Sequence, residues 1–317
     1  MKKTIVGLAV GALIGLSLVM RALGGPVISM PGPTDTEASQ QGRALWLLPS
    51  ADPAVPMLTT VFRPAGDGPF PMVLMNHGTT RSPTERLFFP LLEFNAAASW
   101  FAERQNVVVA PQRPGHGDTG GPYYEEVVPP GETAPSRVCA RPQFREAGLA
   151  VAADDSIAVA YMTAQPFVDA QNIIVVGQSG GGWGSLAYVS QNPPGVRAMV
   201  NFAGGRTCRE NSRAPELLVQ IAGEFCRTTR IPMLWIYTEN DKFFPPEVSK
   251  PMYEACRAAG ARVEYHLLPS FEDNGHFFVD VPKAIPIWAP IVTKFLSEHG
   301  QAAVVRNPDA GNRRGVE

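Results

Sequence analysis

The sequence predicts an α/β fold: a mostly parallel, twisted sheet of about eight strands, with helices on both faces. Short, continuous runs of Val, Ile and Leu alternate with longer stretches of helical periodicity, which is the pattern of a sheet buried on both sides. Glycine, proline and polar residues follow several of these runs directly, at the sheet edge where parallel α/β proteins place their sites. At 317 residues and 45% hydrophobic composition, the chain can form one large domain.

The apolar runs and the periodic stretches define the expected elements in order. Strands are expected at residues 43–48, 57–63, 72–75, 107–110, 173–176, 197–202, 232–237 and 262–268. Helices are expected at residues 87–104, 144–164, 183–190, 246–259 and 288–299. The segment between Cys208 and Arg230 joins two strands and is expected to form a short cap over the site.

The two ends of the chain are expected to lie outside the domain. Lys2 and Lys3 precede the apolar stretch 5–20, and small residues follow at Ala22 and Gly24. We expect residues 1–24 to be a secretory signal peptide and the protein to be periplasmic or secreted. The alternative is an uncleaved segment that anchors it in the inner membrane.

A linker and a tail then flank one globular unit. Residues 25–41 are rich in Pro, Gly, Ser, Thr and Gln and are expected to form the linker. Residues 301–317 are polar and are expected to form a flexible tail. The domain is therefore expected at residues 42–300.

The charge and the cysteines limit the partners and the compartment. A formal net charge of −2 carries no basic excess, which argues against nucleic acid. We expect no membrane association after removal of the signal peptide.

Four cysteines in an exported chain permit two disulfides. Cys208 and Cys226 are the favoured pair because they bracket one short segment, which leaves Cys139 with Cys256; four free thiols are the alternative.

The motif with the clearest chemistry is Gly-Gln-Ser-Gly-Gly-Gly at residues 177–182, directly after the apolar run 173–176. A strand that ends in Gly-x-Ser-x-Gly and continues as a helix exposes its serine on a sharp turn. Glycines on either side let the backbone bend and a substrate approach. The sequence therefore predicts Ser179 as a nucleophile.

A serine hydroxyl needs a base, and in this arrangement the acid and then the histidine follow the serine along the chain. His276 is the expected base because it sits in a loop after the last strand. His266 lies inside a predicted strand and His299 lies on the last helix, so packing explains both better.

The acid is expected after the strand at residues 232–237. Asp241 is favoured and Glu239 is the rival. Glu272 and Asp273 lie closer to His276 along the chain, but they are interpreted as solvated turn residues.

An oxyanion needs two backbone donors. The first is expected to be the N–H of Gly180 and the second that of Thr79, with Thr80 as an alternative.

His77 is interpreted as a brace for the loop that contains Thr79, and His116 as a turn residue. Trp183 is expected to pack beneath the nucleophile helix. No spacing of His, Cys and carboxylate residues indicates a metal, and no cofactor is expected.

Together these segments resemble the α/β-hydrolase superfamily, and within it the dienelactone-hydrolase-like and prolyl-oligopeptidase-like bacterial hydrolases. The segments span residues 43–299, nearly the whole mature chain. They are Val-Leu-Met-Asn-His-Gly (73–78), Pro-Gln-Arg-Pro-Gly-His-Gly (111–117), Val-Val-Gly-Gln-Ser-Gly-Gly-Gly (175–182), Val-Asn-Phe-Ala-Gly-Gly (200–205), Trp-Ile-Tyr-Thr-Glu-Asn-Asp-Lys-Phe-Phe (235–244) and Asp-Asn-Gly-His (273–276).

The resemblance implies an α/β-hydrolase fold with Ser179 as nucleophile, Asp241 as acid and His276 as base. Dienelactone hydrolases proper use a cysteine nucleophile, and this chain has serine. We therefore expect an exported serine hydrolase that cleaves small-molecule or polymeric carboxylic esters through an acyl-enzyme. The alternatives are a peptidase or amidase with the same triad, and an inactive binding protein of the same fold. The sequence does not define the oligomeric state.

Overall fold

A computed structural model describes residues 32–34, 42–126, 139, 142–208, 211–301 and 303–305. The expected signal peptide, most of the linker and most of the tail lie outside these residues. Within the described part, nine strands form one sheet. They are β1 Gly32–Pro33, β2 Arg43–Leu48, β3 Met57–Phe62, β4 Phe70–Asn76, β5 Val107–Pro111, β6 Val168–Gln178, β7 Val196–Phe202, β8 Met233–Thr238 and β9 Val263–Leu268.

The sheet order is β1-β2-β3-β5-β4-β6-β7-β8-β9. Six neighbouring strands of this order, β5, β4, β6, β7, β8 and β9, are parallel to one another. The remaining pairs, β1 with β2, β2 with β3 and β3 with β5, are antiparallel. The predicted mostly parallel sheet is confirmed. One strand exceeds the eight expected: β1 has only two residues, too few to give a period-two signal, and it lies within the predicted linker.

Helices cover both faces of the sheet. The α-helices of the described residues are α1 Pro83–Leu87, α2 Asn95–Ala102, α3 Phe144–Thr163, α4 Ser179–Val189, α5 Ala214–Thr228, α6 Pro246–Ala258 and α7 Ile285–Glu298. None of the helices in this part of the chain is long and apolar enough to cross a membrane. The segment expected to form a cap contains α5, which packs against α6 and whose Leu218 and Ala222 are buried in the core.

Two hydrophobic layers lie on opposite faces because successive side chains of a strand point to opposite sides. Leu74 of β4 and Val175 of β6 join the layer that includes residues of α3 to α6. Val73 and Val176, one residue away, join the layer of α2 and α7. Trp183 packs in the first layer, as predicted, and its indole N–H donates to the carbonyl of Phe144 (2.6 Å).

A buried polar contact ties the central strand to two helices. The amide of Asn76, at the end of β4, donates to Asp155 Oδ2 of α3 (2.7 Å) and to Ser185 Oγ of α4 (2.9 Å). Burial raises the pKa of Asp155 from its ordinary value of 3.8 to about 8, so this carboxyl keeps its proton at neutral pH. The link fixes the end of β4 next to the helix that begins at Ser179.

The expected disulfide pairing is wrong. Cys139 pairs with Cys208, and Cys226 pairs with Cys256. The segment between Cys208 and Cys226 is not a short loop, since α5 occupies most of it and rises by about 1.5 Å per residue. This helix carries Cys226 away from Cys208 and places it against Cys256 of α6.

The pKa of Asp155 predicts a pH-dependent stability. Between pH values of about 4 and 8 the unfolded chain loses this proton while the folded chain retains it. The free energy of unfolding therefore falls as pH rises, by about 1.36 kcal/mol for each pH unit between these two values. We expect Asp155→Asn to remove several kcal/mol of this fall, measured by denaturant unfolding at a series of pH values. Asp67→Asn, at an exposed position, is the control; equal pH slopes for all three proteins would refute the assignment.

Candidate active site

Ser179 lies on a sharp turn between β6 and α4. Its φ of +52° is left-handed, a conformation that side chains other than glycine rarely adopt. The neighbouring glycines allow this turn to press against the rest of the sheet. A Cβ on Gly181 would collide with the carbonyl oxygens of Asn76 and His77 at the end of β4. The serine is thus held at the carboxyl edge of the central parallel strands.

A buried carboxylate–imidazole pair lies at the same edge. Asp241 follows β8 and His276 follows β9, and His276 Nδ1 is 3.0 Å from Asp241 Oδ2 and 3.1 Å from Oδ1. The backbone N–H groups of Phe243 and Phe244 donate to Asp241 Oδ1 at 2.8 and 2.9 Å. Both side chains of the pair are almost completely buried. The carboxylate therefore orients the imidazole, with Nε2 on the far side of the ring from Asp241.

The other candidate acids and bases lie elsewhere. Glu239, the rival of Asp241, is exposed, and so are Glu272 and Asp273. His266 and His299 both approach Glu264, at 3.9 and 3.6 Å. Of the residues that the sequence proposed, the structure brings Asp241 and His276 together.

Ser179 and His276 line one cavity of about 600 Å³. No hydrogen bond joins their side chains among the described residues. In free enzymes this contact is often long and tightens when substrate binds. The cavity also contains Thr79 and Gly180, so all five residues named as site candidates, Asp241 included, lie at or directly behind its wall.

The loop after β4 supplies N–H groups next to Ser179. The N–H of Gly78 donates to Glu93 Oε2 (2.6 Å), so this donor is already used. The N–H of Thr79 has no acceptor within the described part of the chain. Gly180 lies in the first turn of α4, where N–H groups lack intrahelical acceptors, and a Cβ there would come within 2.6 Å of Thr79 Cγ2. Thr79 and Gly180 are therefore adjacent potential donors.

A chain of hydrogen bonds holds the Thr79 side chain. His116 Nδ1 lies near the carbonyls of Arg113 and Pro114, at 3.2 and 3.3 Å, so it carries the proton and Nε2 accepts from Thr79 Oγ1 (2.9 Å). Burial lowers the pKa of His116 to about 4, which keeps the ring neutral at pH 7. Thr79 Oγ1 in turn accepts from the hydroxyl of Tyr123 (3.1 Å).

A buried ion cluster supports this chain. Glu125 accepts from Arg113 Nε (2.7 Å) and from Arg206 Nη1 (2.8 Å). Burial alone would raise the pKa of Glu125, but the two guanidinium groups outweigh it and hold the pKa at about 2. Arg206 Nη2 also donates to the Tyr123 hydroxyl (3.3 Å). The cluster therefore connects the wall of the cavity with the Thr79 loop.

Arg113 and His77 hold the other side of the loop. Arg113 donates to the carbonyls of His77 (2.8 Å) and Gly78 (3.2 Å). His77 Nε2 accepts from the Arg113 backbone N–H (3.0 Å), so Nδ1 carries the proton and donates to the Gly78 carbonyl (2.6 Å). Burial holds the pKa of His77 well below its usual range. His77 thus braces the loop, as predicted from the sequence.

Sequence reasoning missed most of this support. Glu93 and Glu125 lie in no recognisable motif, and burial raises the pKa of Glu93 to about 7. Arg206 directly follows Ala-Gly-Gly at the end of a predicted strand, and that position could have indicated a site residue. Within the described residues, no group of three or more His, Cys, Asp or Glu side chains is arranged to hold a metal.

Comparisons with solved structures agree with this architecture. An esterase from Thermogutta terrifontis matches with a TM-score of 0.54 at 17% identity, over 83% of this chain and 97% of its own. Porphyromonas gingivalis dipeptidyl peptidase 4 matches with a TM-score of 0.57 at 14% identity, over 80% of this chain and 35% of its own. These similarities establish the α/β-hydrolase fold.

Sequence comparisons identify the family. A curated Escherichia coli (strain K12) protein named "Putative carboxymethylenebutenolidase" is 30% identical over 110 residues. That match covers 35% of this chain, and the chain spans only 38% of that relative's length. The model of the dienelactone hydrolase family matches residues 96–301, more than half of the chain. The protein therefore belongs to the dienelactone hydrolase family.

Proposed function

We propose that the protein is a serine hydrolase that cleaves carboxylic esters through an acyl-enzyme on Ser179. The observation that carries the proposal is the buried Asp241–His276 pair, with Nδ1 at 3.0 Å from Oδ2, on the cavity that Ser179 lines. The left-handed turn exposes the serine to the same space. These are the parts that nucleophilic acyl transfer requires: a nucleophile, a base and a group that orients the base.

Each residue then has one role in the reaction. His276 Nε2 takes the proton of Ser179 Oγ as the oxygen attacks the ester carbonyl, and Asp241 stabilises the imidazolium that forms. His276 returns the proton to the leaving alcohol, which departs and leaves an acyl group on Ser179. Water, activated by the same imidazole, attacks the acyl carbon, and the proton passes back to Ser179 Oγ as the acid is released.

The negative charge of the tetrahedral intermediate needs donors that are already in position. We propose the N–H groups of Thr79 and Gly180 for this role. Glu93 supports the choice of Thr79 because it occupies the N–H of Gly78. The hydrogen bonds that Thr79 Oγ1 donates to His116 and accepts from Tyr123 hold the loop before substrate binds.

Ester cleavage is favoured over amide cleavage on chemical grounds. An amide leaves as a poor amine that must be protonated, and peptidases generally position the peptide with additional structure. The Porphyromonas peptidase matches over only 35% of its own chain, so most of that protein has no counterpart in the match. The esterase of Thermogutta terrifontis matches over 97% of its length.

We also propose that the protein is exported. The two disulfides suit an oxidising compartment, and the sequence begins with the features of a signal peptide. Mapping of protein recovered from the periplasm or medium should give cross-linked peptides that join Cys139 to Cys208 and Cys226 to Cys256, and an amino terminus at Gly25. Four thiols that alkylate without reductant, or a protein retained in the cytoplasm, would contradict export.

Ser179→Ala tests the nucleophile. We expect kcat for p-nitrophenyl acetate to fall by at least about a thousandfold, because the proposed acyl-enzyme forms on the Ser179 hydroxyl that the substitution removes. A fluorophosphonate should label the wild type on Ser179 and leave the variant unlabelled. Ser190→Ala, at the end of α4, is the control. Faster turnover of aminoacyl anilides than of esters would indicate a peptidase instead. If the wild type showed neither turnover nor labelling, the proposal that the protein is an enzyme would be refuted.

Thr79→Val tests how the oxyanion loop is positioned. The substitution keeps the side-chain shape and removes the hydroxyl that bonds to His116 and Tyr123. We expect kcat to fall about tenfold with little change in KM, because the Thr79 N–H serves the transition state more than the bound ester. Thr80→Val is the matched control, since the Thr80 hydroxyl bonds to the exposed Glu85. An equal loss in both variants, or a rise in KM alone, would contradict this role.

A further inference from the structure

Three phenylalanine rings lie next to His276 at the cavity; Phe244 is buried, and Phe243 and Phe277 are the more exposed two. The ring centroid of Phe243 lies 4.4 Å from that of His276, and the centroid of Phe277 lies 5.0 Å away. The rings of Phe243 and Phe277 are 6.0 Å apart and nearly perpendicular. Both line the cavity that contains Ser179. The imidazole therefore lies beside an aromatic wall formed by Phe243 and Phe277.

Phe277 is 52% exposed although it lies beside the buried His276, and Phe88, another residue of the cavity wall, is 81% exposed. An exposed aromatic ring gains about 25 cal/mol for each Å² of apolar surface that a ligand covers. Exposed apolar surface at the mouth of a cavity is typical of a ligand-binding site. Phe277 also borders a second cavity of about 280 Å³, which shares Glu93 and Gln178 with the first, so a ligand next to this ring has room to extend.

The reaction determines which part of an ester meets this wall. His276 must pass a proton to the leaving oxygen, so this oxygen lies within hydrogen-bond distance of Nε2. The group attached to that oxygen is the alcohol part of the ester. It must then extend past the imidazole, where Phe243 and Phe277 lie.

The wall next to the oxyanion donors differs in chemistry. Arg206 and Glu125 line the cavity there, and a Cβ on Gly180 would lie 3.0 Å from Arg206 Nη1. Charged groups that are already paired offer little to an apolar substituent. Phe88 and Phe89 also line the cavity, but Phe243 and Phe277 are the partly exposed rings next to His276, the residue that the leaving group must approach.

We propose that Phe243 and Phe277 form the binding site for the alcohol part of the substrate, and that this site selects neutral apolar alcohols, aromatic or long-chain. The proposal rests on the ester hydrolase function proposed above. Attack on the acyl-enzyme is the reverse of alcohol departure, so the same site admits an apolar alcohol as an acyl acceptor in competition with water.

The transfer step is balanced without any cofactor. The oxygen of the acceptor alcohol forms a bond to the acyl carbon while its proton moves to His276 Nε2. The bond between the acyl carbon and Ser179 Oγ then breaks, and the proton passes from Nε2 to Oγ. The products are a new ester and the free serine.

The test is a competition for one acyl-enzyme. The protein is acylated with p-nitrophenyl acetate in the presence of equal concentrations of benzyl alcohol and ethanol, and benzyl acetate, ethyl acetate and acetate are measured. Their ratios do not depend on the acylation rate or on the amount of active protein. Choline replaces benzyl alcohol in a second series, because the carboxyl of Glu93 borders the second cavity and would favour a cation.

The variants separate the ring from its surroundings. Phe277→Ser removes the ring, Phe277→Leu keeps an apolar side chain, and Ile287→Ser changes an exposed residue of α7 that lines neither cavity. We expect wild type to favour benzyl alcohol over ethanol, and Phe277→Ser to lower this ratio about tenfold. Phe277→Leu should retain most of the preference, and Ile287→Ser should retain all of it.

Three outcomes would overturn the inference. A benzyl-to-ethanol ratio unchanged in Phe277→Ser would show that the ring does not contact the alcohol. If choline were a better acceptor than benzyl alcohol, the site would select a cationic alcohol rather than a neutral apolar one. Failure of p-nitrophenyl acetate to acylate Ser179 would overturn the proposed function as well, whereas acylation with unselective transfer would overturn the alcohol site alone.

Discussion

The candidate site depends on one buried carboxylate, that of Glu125, which lies between the guanidinium groups of Arg113 and Arg206. Arg113 holds the carbonyls of His77 and Gly78, and Arg206 reaches Thr79 through the hydroxyl of Tyr123. Removing one partner of a buried ion pair generally costs about 3–5 kcal/mol, because the remaining charge is left without compensation. Glu125 therefore fixes the loop after β4 and the segment after β7 in one arrangement, and these two segments flank Ser179.

The Ser179 turn fits this arrangement through close backbone packing. Glycine at position 181 lets α4 begin directly against the carbonyls at the end of β4. The hydrogen bond from Asn76 to Asp155 ties this end of β4 to α3. Since β4, β6 and β8 run parallel, their carboxyl ends meet at one edge, and Asp241 and His276 arrive there from separate loops. The chemistry proposed for the protein thus follows from a rigid sheet edge rather than from any single loop.

The fold could be predicted, and the triad could be proposed, because their signals are local. An apolar strand followed by Gly-x-Ser-x-Gly, then an acid and a histidine after later strands, can be recognised along the chain. The choice of Asp241 over Glu239 also agrees with the geometry, since Glu239 is exposed. The support of the site could not be predicted, because Glu125 and Arg206 are 81 residues apart and neither lies in a motif that names its partner.

The disulfide pairing failed for a related reason. Separation along the chain suggested that Cys208 and Cys226 close a loop, but α5 converts that segment into a rigid spacer. The correct pairing requires knowledge of how α5 packs on α6. It places Cys208, a residue of the cavity wall, in a covalent link to Cys139.

The central claim is that Ser179 reacts next to donors held in place before substrate binds. It is tested most directly by a crystal structure of the protein inhibited with a dialkyl fluorophosphate. The account predicts a phosphorus–Oγ bond on Ser179 and a phosphoryl oxygen within about 3 Å of the N–H groups of Thr79 and Gly180, with Gly78 still bonded to Glu93. A phosphoryl oxygen turned away from both N–H groups, or an adduct on another residue, would contradict it.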